Sequence, residues 1–471
     1  MIFFEGELKV ADFLRAHGFA VSTPCGGTGI CGRCAVKAAG ALCPAPVDGR
    51  VLACQARLLG DAEVWLKPAA GFSNITLSAR QDFISVNPMA GDYGLAFDIG
   101  TTTIAALLIN LKTGEQLATA AMRNTQTQLS DNVIGRINAA LNHQAMLLHQ
   151  LVLDDIRKLR SDVCKKAGIS EADIAHTVMA GNTAMLYFLT NRSPKALSAA
   201  PFVADHLFGE WVETSYLPRC IGAFLGADLV MALIASGMCD APDTALLADI
   251  GTNGEIALWH KCRLYCAAAA AGPAFEGGGI RMGLGNVPGA IDTVRVSDHV
   301  LRVTTIGNKK AVGICGSGLI DAAASFLELG LMDETGRLKG ETIYLTDEVY
   351  INQEDIRKLQ LAKGAVAAAI GALCKTAGIR MADVQRFYLA GGFGAHMRIN
   401  AAARIGLIPD AFIDRAIPLG NAALTGAANL LLDQGLIDKH LRIAEMANVV
   451  TLSGSSLFSG LFMERMLLER Y

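Results

Sequence analysis

The sequence predicts an α/β protein of two lobes around a cleft, preceded by a small α+β domain. Three observations predict it. A short apolar strand ending in Asp-Ile-Gly-Thr occurs twice, at Asp98-Ile99-Gly100-Thr101 and at Asp249-Ile250-Gly251-Thr252. Each copy is followed by two further strand-like runs. Five of the 12 cysteines lie in the first 54 residues, in and just beyond a Gly-rich loop. A chain of 471 residues is too long for one core. The expected divisions are a cysteine-bearing domain at 1–80, a linker at 81–93, a first lobe at 94–245, and a second lobe with C-terminal elements at 246–471.

Composition narrows the class. Hydrophobic residues make up 52% and charged residues 18%, a globular balance. A net charge of −3 makes no case for a nucleic-acid partner. No apolar run reaches the ~18 residues of a membrane span. The first residues lack a basic n-region and a cleavage site, so a cytoplasmic location without membrane attachment is expected. In that compartment the cysteines read as thiols or metal ligands rather than disulfides. Cys164, Cys220, Cys239, Cys262, Cys266, Cys315 and Cys374 read as small apolar packing residues. Cys262 and Cys266 stand four apart, but no second ligand pair accompanies them.

In the N-terminal domain, residues 8–15 have helical spacing. The loop Cys25-Gly26-Gly27-Thr28-Gly29-Ile30-Cys31-Gly32-Arg33-Cys34 follows, with spacing C-x5-C-x2-C. An iron–sulfur cluster needs thiolates converging on one point and backbone N–H groups turned towards the sulfurs, which Gly permits. A strand starts at Ala35. The fourth ligand is Cys54, set in the apolar run Val51-Leu52-Ala53-Cys54-Gln55, or else Cys43 in its Pro-rich turn; Cys54 is preferred. Zinc is the rival metal, but it usually shows two CxxC-like pairs, and only Cys31 and Cys34 make one here. Reduced thiols without metal are the plainest alternative.

Residues 80–93 read as a linker, with Asn87-Pro88 and Gly91-Asp92 as turn signals, that lets the first domain swing. The first lobe then reads as strands at 94–98, 104–110 and 116–122, a polar loop at 124–128, helices at 133–141 and 146–167, and a strand at 174–180. That strand ends at Gly181-Asn182-Thr183, readable as a ligand contact or as a helix cap. The second lobe repeats the opening, with strands at 255–259 and 263–267. A flexible loop at 271–280 carries Glu276, readable as a residue that orients water or metal, or as a helix cap. Further on come a turn at Gly316-Ser317 into a helix over 321–329, an Ala-rich stretch at 366–373, and a strand at 387–390. The Gly-rich turn Gly391-Gly392-Phe393-Gly394, a helix at 422–432 with a small-residue face, and a tail with a strand and a helix complete the chain.

The two repeated turns suit the clamping of one triphosphate between lobes. Gly100, Gly251 and Gly254 let backbone N–H groups approach a phosphate, and Thr101, Thr102, Thr252 and Asn253 add side-chain donors. Asp98 and Asp249 suit a hydrated Mg²⁺. Gly316 and Ser317 open a helix whose N-terminus suits phosphate. Gly391, Gly392 and Gly394 leave room for adenine or ribose. The bland alternative is a set of ordinary strand-to-turn junctions.

These motifs as a set resemble the actin, hsp70 and sugar-kinase superfamily, over about residues 93–471. The cysteine loop resembles the [2Fe–2S] ferredoxin domain, closer to the adrenodoxin-like spacing than to the plant C-x4-C-x2-C, though more compact. The combination resembles the reductive activators of corrinoid proteins, through residues 249–255, 271–278, 314–319 and 389–394. That resemblance implies ATP-dependent reduction of Co(II) to Co(I) in a corrinoid protein of a methyltransferase system. It implies a [2Fe–2S] cluster on Cys25, Cys31, Cys34 and Cys54 as electron carrier, with ATP and Mg²⁺ in the cleft. A reduced ferredoxin or other low-potential donor would supply the electron; the oligomeric state stays open, a homodimer being one arrangement. Longer members carry a middle domain between cluster and ATPase, and Asp98 comes too early for one here. Two other readings are an activator of a radical-type dehydratase or reductase and a non-catalytic redox sensor with a nucleotide switch. Activators of the first kind usually hold a [4Fe–4S] cluster within the ATPase domain, unlike the separate cysteine domain here.

Overall fold

Two six-stranded sheets share one strand plan. In a computed structural model that describes residues 8–17, 19, 21, 23, 27, 29, 34–66, 83–251 and 253–471, the first sheet is built on Tyr93–Ile99. Thr103–Asn110 pairs with it antiparallel, and Gln116–Arg123 pairs antiparallel with that. On its other side Ile174–Gly181 runs parallel, followed by Ser215–Leu217, also parallel. The second sheet repeats this around Ala245–Ile250. Gly254–His260 and Arg263–Ala269 form the antiparallel arm, and Arg386–Ala390 and Ala416–Gly420 the parallel one. The three-strand opening expected in each lobe is therefore present.

The central strands are apolar on both faces because helices cover both. Ala145–Ala167 packs with Leu148, Val152, Ile156, Leu159 and Val163 on one side of the first sheet. Two helices, Ala227–Ser236 and Ala422–Leu432, fill the space between the sheets in a core that joins Ala96 and Leu107 to Leu247 and Trp259. They cross at backbone contact: a Cβ on Gly426 would lie 2.0 Å from the Met231 carbonyl oxygen. The small face read at residues 426–428 thus serves close helix packing. Outside the second sheet, the long helix Gln353–Thr376 carries the Ala-rich stretch through a separate large core. Inserted before it are a three-stranded sheet (Val300–Thr305, Ala290–Ser297, Gly313–Ile314), the helix Gly316–Glu328 and a hairpin, Thr342–Tyr344 with Tyr350–Asn352.

The N-terminal domain is a four-stranded antiparallel sheet in the order Leu8–Lys9, Arg57–Trp65, Ala35–Cys43, Arg50–Leu52, with the helix Val10–Ala16 on its core. It touches the first lobe through Thr23, whose N–H donates to the Gln128 carbonyl at 3.1 Å.

Some expectations need correcting. Residues 83–92 do not run free. The N–H groups of Val86 and Asn87 donate to Leu432, that of Met89 to Leu431, and Met89 is buried. This segment is strapped to the end of the helix Ala422–Leu432, so the swing expected of residues 80–93 is not available along 83–92. The helix read over 321–329 begins earlier, at Gly316. The turn after residue 390 is itself a short helix, Gly391–His396. Of the seven scattered cysteines, Cys262 is exposed at a positive φ and Cys239 is only half-buried, so these two are not core packing; the other five are buried.

Candidate functional site

The two repeated strands bring their terminal aspartates into one cleft. Asp98 accepts a hydrogen bond of 2.8 Å from Asn421 Nδ2. Asn421 caps the helix Ala422–Leu432, its Oδ1 accepting from the Leu424 N–H. Asp249 accepts no hydrogen bond among the described residues, and a Cβ on Gly391 would lie 2.5 Å from its Oδ1. Gly391 has φ +82. Any larger residue would be strained there and would push on the carboxylate.

Asp228 and Glu255 join them. Asp228 stands in the first turn of Ala227–Ser236, and Glu255 follows Gly254 on the adjoining strand. Burial pushes Asp98 up to about 6 and Asp249 up to about 7, the latter also raised by the negative charges of Asp98 and Glu276. Asp228 is raised by burial and by the negative charges of Asp98 and Asp249, and Glu255 by burial and by those of Asp228 and Asp249. Asp98, Asp228 and Asp249 nevertheless keep part of their surface accessible. Like charges crowded in this way suit a cation. The donor set therefore fits a divalent ion held through water, although no three His, Cys, Asp or Glu among the described residues form a ready-made metal cage.

Gly100, Thr101 and Thr102 form the turn after Asp98 and are held from behind. Asn182 Nδ2 donates to Thr101 Oγ1 at 2.9 Å, and Asn124 Nδ2 to the Gly100 carbonyl at 2.9 Å. Arg136, fully buried, donates to the Thr101 carbonyl, to Gln126 Oε1 and to the Ser130 carbonyl. Burial lowers its pKa to about 9. Thr102 Oγ1 donates to Glu276 Oε2 at 2.6 Å, one of the contacts that close the cleft from lobe to lobe. Glu276 ends the turn Pro273–Glu276, near Gly251. Asn253 accepts from the Gly251 N–H. Thr252 lies outside the described residues.

Gly316 and Ser317 sit deeper than a phosphate turn requires. A Cβ on Gly316 would lie 1.8 Å from the Phe275 carbonyl oxygen, and Ser317 Oγ donates to the Asp292 carbonyl at 3.2 Å. Phe275 stacks on Phe393 with centroids 5.0 Å apart. This end of the helix Gly316–Glu328 thus positions the Glu276 turn and the 391–394 turn. Gly392 has open space beside it, and Gly394 packs on Leu389.

In the first domain, the sulfurs of Cys34 and Cys54 are buried and 3.2 Å apart. Two thiolates sharing a tetrahedral metal ion, with bonds of ~2.3 Å, would stand about 3.8 Å apart, so this pair fits a metal with a small adjustment. Cys43 is exposed at the end of its strand. Cys25 and Cys31 lie outside the described residues.

Sequence reading missed Asp228, Asn421, Asn124 and Arg136. The first two left signals: a lone charge in an apolar helix, and an Asn just before a helix start. Asn124 and Arg136 matter only through the turn that folds back on them.

Comparisons with known proteins agree with this architecture. A family model described as the C-terminal domain of RACo, the ASKHA domain, matches residues 243–471. A second, described as the RACo middle region, matches residues 93–241. The middle-region match falls on the segment read as the first lobe. The chain is 32% identical over 397 residues to the corrinoid activation enzyme RamQ of Eubacterium limosum, covering 75% of this chain and 66% of that protein, just under two thirds. It is 27% identical over 396 residues to a [Co(II) methylated amine-specific corrinoid protein] reductase of Methanosarcina barkeri, covering 75% and 72%. A solved structure of a reductive activator for a corrinoid, iron–sulfur protein has the same fold, with TM-score 0.73, 24% identity, and 98% and 96% of the two chains covered. Among the described residues no helix is long and apolar enough to cross a membrane. The chain belongs to the RACo family, with its ASKHA domain at residues 243–471 and its middle region at residues 93–241.

Proposed function

We propose that this protein is an ATP-dependent reductive activator of a corrinoid protein, returning Co(II) to Co(I) with electrons that pass through its N-terminal domain. The observation that carries this is one cleft in which both Asp-Ile-Gly-Thr turns meet, beside a buried cysteine pair on a domain docked to the same lobe. Family membership and the names of the relatives support it.

Cys25, Cys31, Cys34 and Cys54 are the residues that would hold iron, Cys54 rather than the exposed Cys43 as the fourth ligand. A bound [2Fe–2S] cluster supplies a one-electron carrier, of ~−400 mV in the plant type. Asp98 and Asp249 would hold a hydrated Mg²⁺, whose charge would offset the repulsion among the buried acids. The turn at Gly100-Thr101-Thr102 and its partner at Gly251-Thr252-Asn253-Gly254 bind the phosphates. An arriving phosphate takes the Thr102 hydroxyl, and Glu276, released from it, orients the attacking water. Exchange of that cross-lobe bond for phosphate contacts links hydrolysis to lobe movement. Each ~59 mV of one-electron gap closed by that movement is worth tenfold in equilibrium constant.

The test is Co(I) absorbance over time for a Co(II) corrinoid protein supplied with a titanium or ferredoxin reductant, with and without ATP. Cys31→Ser should hydrolyse ATP and deliver no electron. Asp249→Asn should accept an electron and stall before Co(I). Equal Co(I) yields with and without ATP overturn the proposal and favour a redox sensor.

A further inference from the structure

Between the phosphate turn and the cysteine domain lies a knot of buried polar groups that neither site accounts for. Asn124, Gln126, Ser130 and Arg136 are each fully buried. Burying polar groups this way adds little stability unless each is satisfied, and here they are satisfied mainly by one another and by the turn at 100–102. The Asn124 N–H donates to the Thr102 carbonyl at 2.9 Å, and its side chain to the Gly100 carbonyl. Asn124 also caps the single turn Thr125–Gln128, its Oδ1 accepting from the Gln126 N–H at 3.0 Å. Arg136 ties Thr101 to Gln126 and Ser130 and, among the described residues, makes no salt bridge with a carboxylate. A phosphate at Thr101 would therefore act on a buried cation directly behind the turn, one that Asp131 and Glu276 reach only at a distance.

The far end of this knot faces the cysteine domain. The Gln128 carbonyl accepts three hydrogen bonds from it: from Arg15 Nη2 at 2.5 Å, from Thr23 Oγ1 at 2.8 Å and from the Thr23 N–H at 3.1 Å. Arg15 also holds the Val21 carbonyl, at 2.9 Å from Nη2. Its guanidinium lies within electrostatic reach of Cys34 and Cys54. Thr23 is buried, and it leads directly into the loop that carries Cys25, Cys31 and Cys34.

We propose that Arg15 is a positioning residue for electron delivery: with Thr23 it latches the cysteine domain onto the turn at 124–130, and that turn carries the state of the phosphate loop to the cluster. The inference rests on the function proposed above. It adds a route, from phosphate at Thr101 through Arg136 and Asn124 to the Gln128 carbonyl, and from there to Arg15 and the cysteines. A two-state element is needed for such coupling; the turn at 124–130, fixed at one end to each domain, is that element.

The experiment uses the full-length, iron-loaded protein and two variants, Arg15→Gln and Thr23→Val. Thr23→Val removes the hydroxyl bonds to Gln128 and Leu129 while keeping the Arg15 charge beside the cysteines. The readouts are iron content, basal ATPase rate, affinity for a non-hydrolysable ATP analogue, and the EPR spectrum and midpoint potential of the reduced cluster with and without that analogue. The parent's spectrum or potential should respond to the analogue. Both variants should keep iron, ATPase rate and analogue affinity within about twofold and lose the response. Loss in Arg15→Gln alone also supports the latch, because Arg15 by itself bonds Gln128. Retention of the parent's response in both variants overturns it. A parent that binds iron and analogue but whose cluster is blind to nucleotide overturns the latch alone. A parent that binds no iron or no nucleotide overturns the proposed function, and the latch with it.

Discussion

Replacing Asp249 with Asn should stabilise the metal-free protein at pH 8 while disabling it. Asp249 sits in a half-buried site beside Asp98 and Glu276, accepts no hydrogen bond among the described residues, and has its pKa raised from 3.8 to about 7. A carboxyl group with a raised folded-state pKa binds more protons folded than unfolded. Its cost to stability therefore grows as pH rises from about 4 and is complete above about 7. Roughly three pKa units at ~1.4 kcal/mol each set an upper bound of ~4 kcal/mol at pH 8. A little under half of that is already present at pH 5. The group keeps some access to solvent, so the stability gained by Asp249→Asn should grow by roughly 1–2.5 kcal/mol between pH 5 and pH 8. For a lobe of this size that is roughly 3–8 °C in unfolding temperature. The assay is thermal unfolding of parent and variant at both pH values, in a chelator and without nucleotide, followed by Mg²⁺ and ATP analogue. The ligands should raise the parent's unfolding temperature and leave the variant's nearly unchanged. A difference between parent and variant that is the same at pH 5 and pH 8 would refute the argument, since an unstrained carboxylate gives no such slope.

Gly426→Ala places a Cβ 2.0 Å from the Met231 carbonyl oxygen and must push apart the two helices between the sheets. It should cost about 1–3 kcal/mol, and an unfolding temperature equal to the parent's would show that the crossing has slack. Asn421→Ala removes a helix cap, worth about 1 kcal/mol, together with a hydrogen-bond donor to Asp98. ATPase activity should fall while iron content holds; loss of stability with full activity would separate Asn421 from the site. Among single Cys→Ser variants, Cys54→Ser should lose iron and Cys43→Ser should keep it, as read by iron assay and EPR; the reverse outcome would exchange their roles.

Much of this protein was legible in its sequence because the signals are local. A strand that ends in Asp-Ile-Gly-Thr announces itself twice, so both lobes, their three-strand openings and the pairing of Asp98 with Asp249 follow from one repeated pattern. The helix at 422–432 is legible to the residue in its apolar, small-residue run. The cysteine loop is read from its spacing alone, with Cys25 and Cys31 outside the described residues, and Cys54 is preferred to Cys43 for the apolar run around it. Tertiary structure decided what depends on pairs distant in sequence. Gly316 reads as a phosphate turn, yet its lack of a Cβ serves the Phe275 carbonyl, which only folding brings within reach. Asp228 joins the acidic cluster because the helix it opens is packed between the sheets, and an isolated Asp in an apolar segment does not say where that segment goes. Residues 83–92 carry linker signals, but Leu431 and Leu432, some 340 positions later, supply the acceptors that hold them. Arg136 shows the difference most plainly. By itself it is one basic residue in a helix, and only the closing of residues 100–102 over it makes it a buried cation behind a phosphate turn.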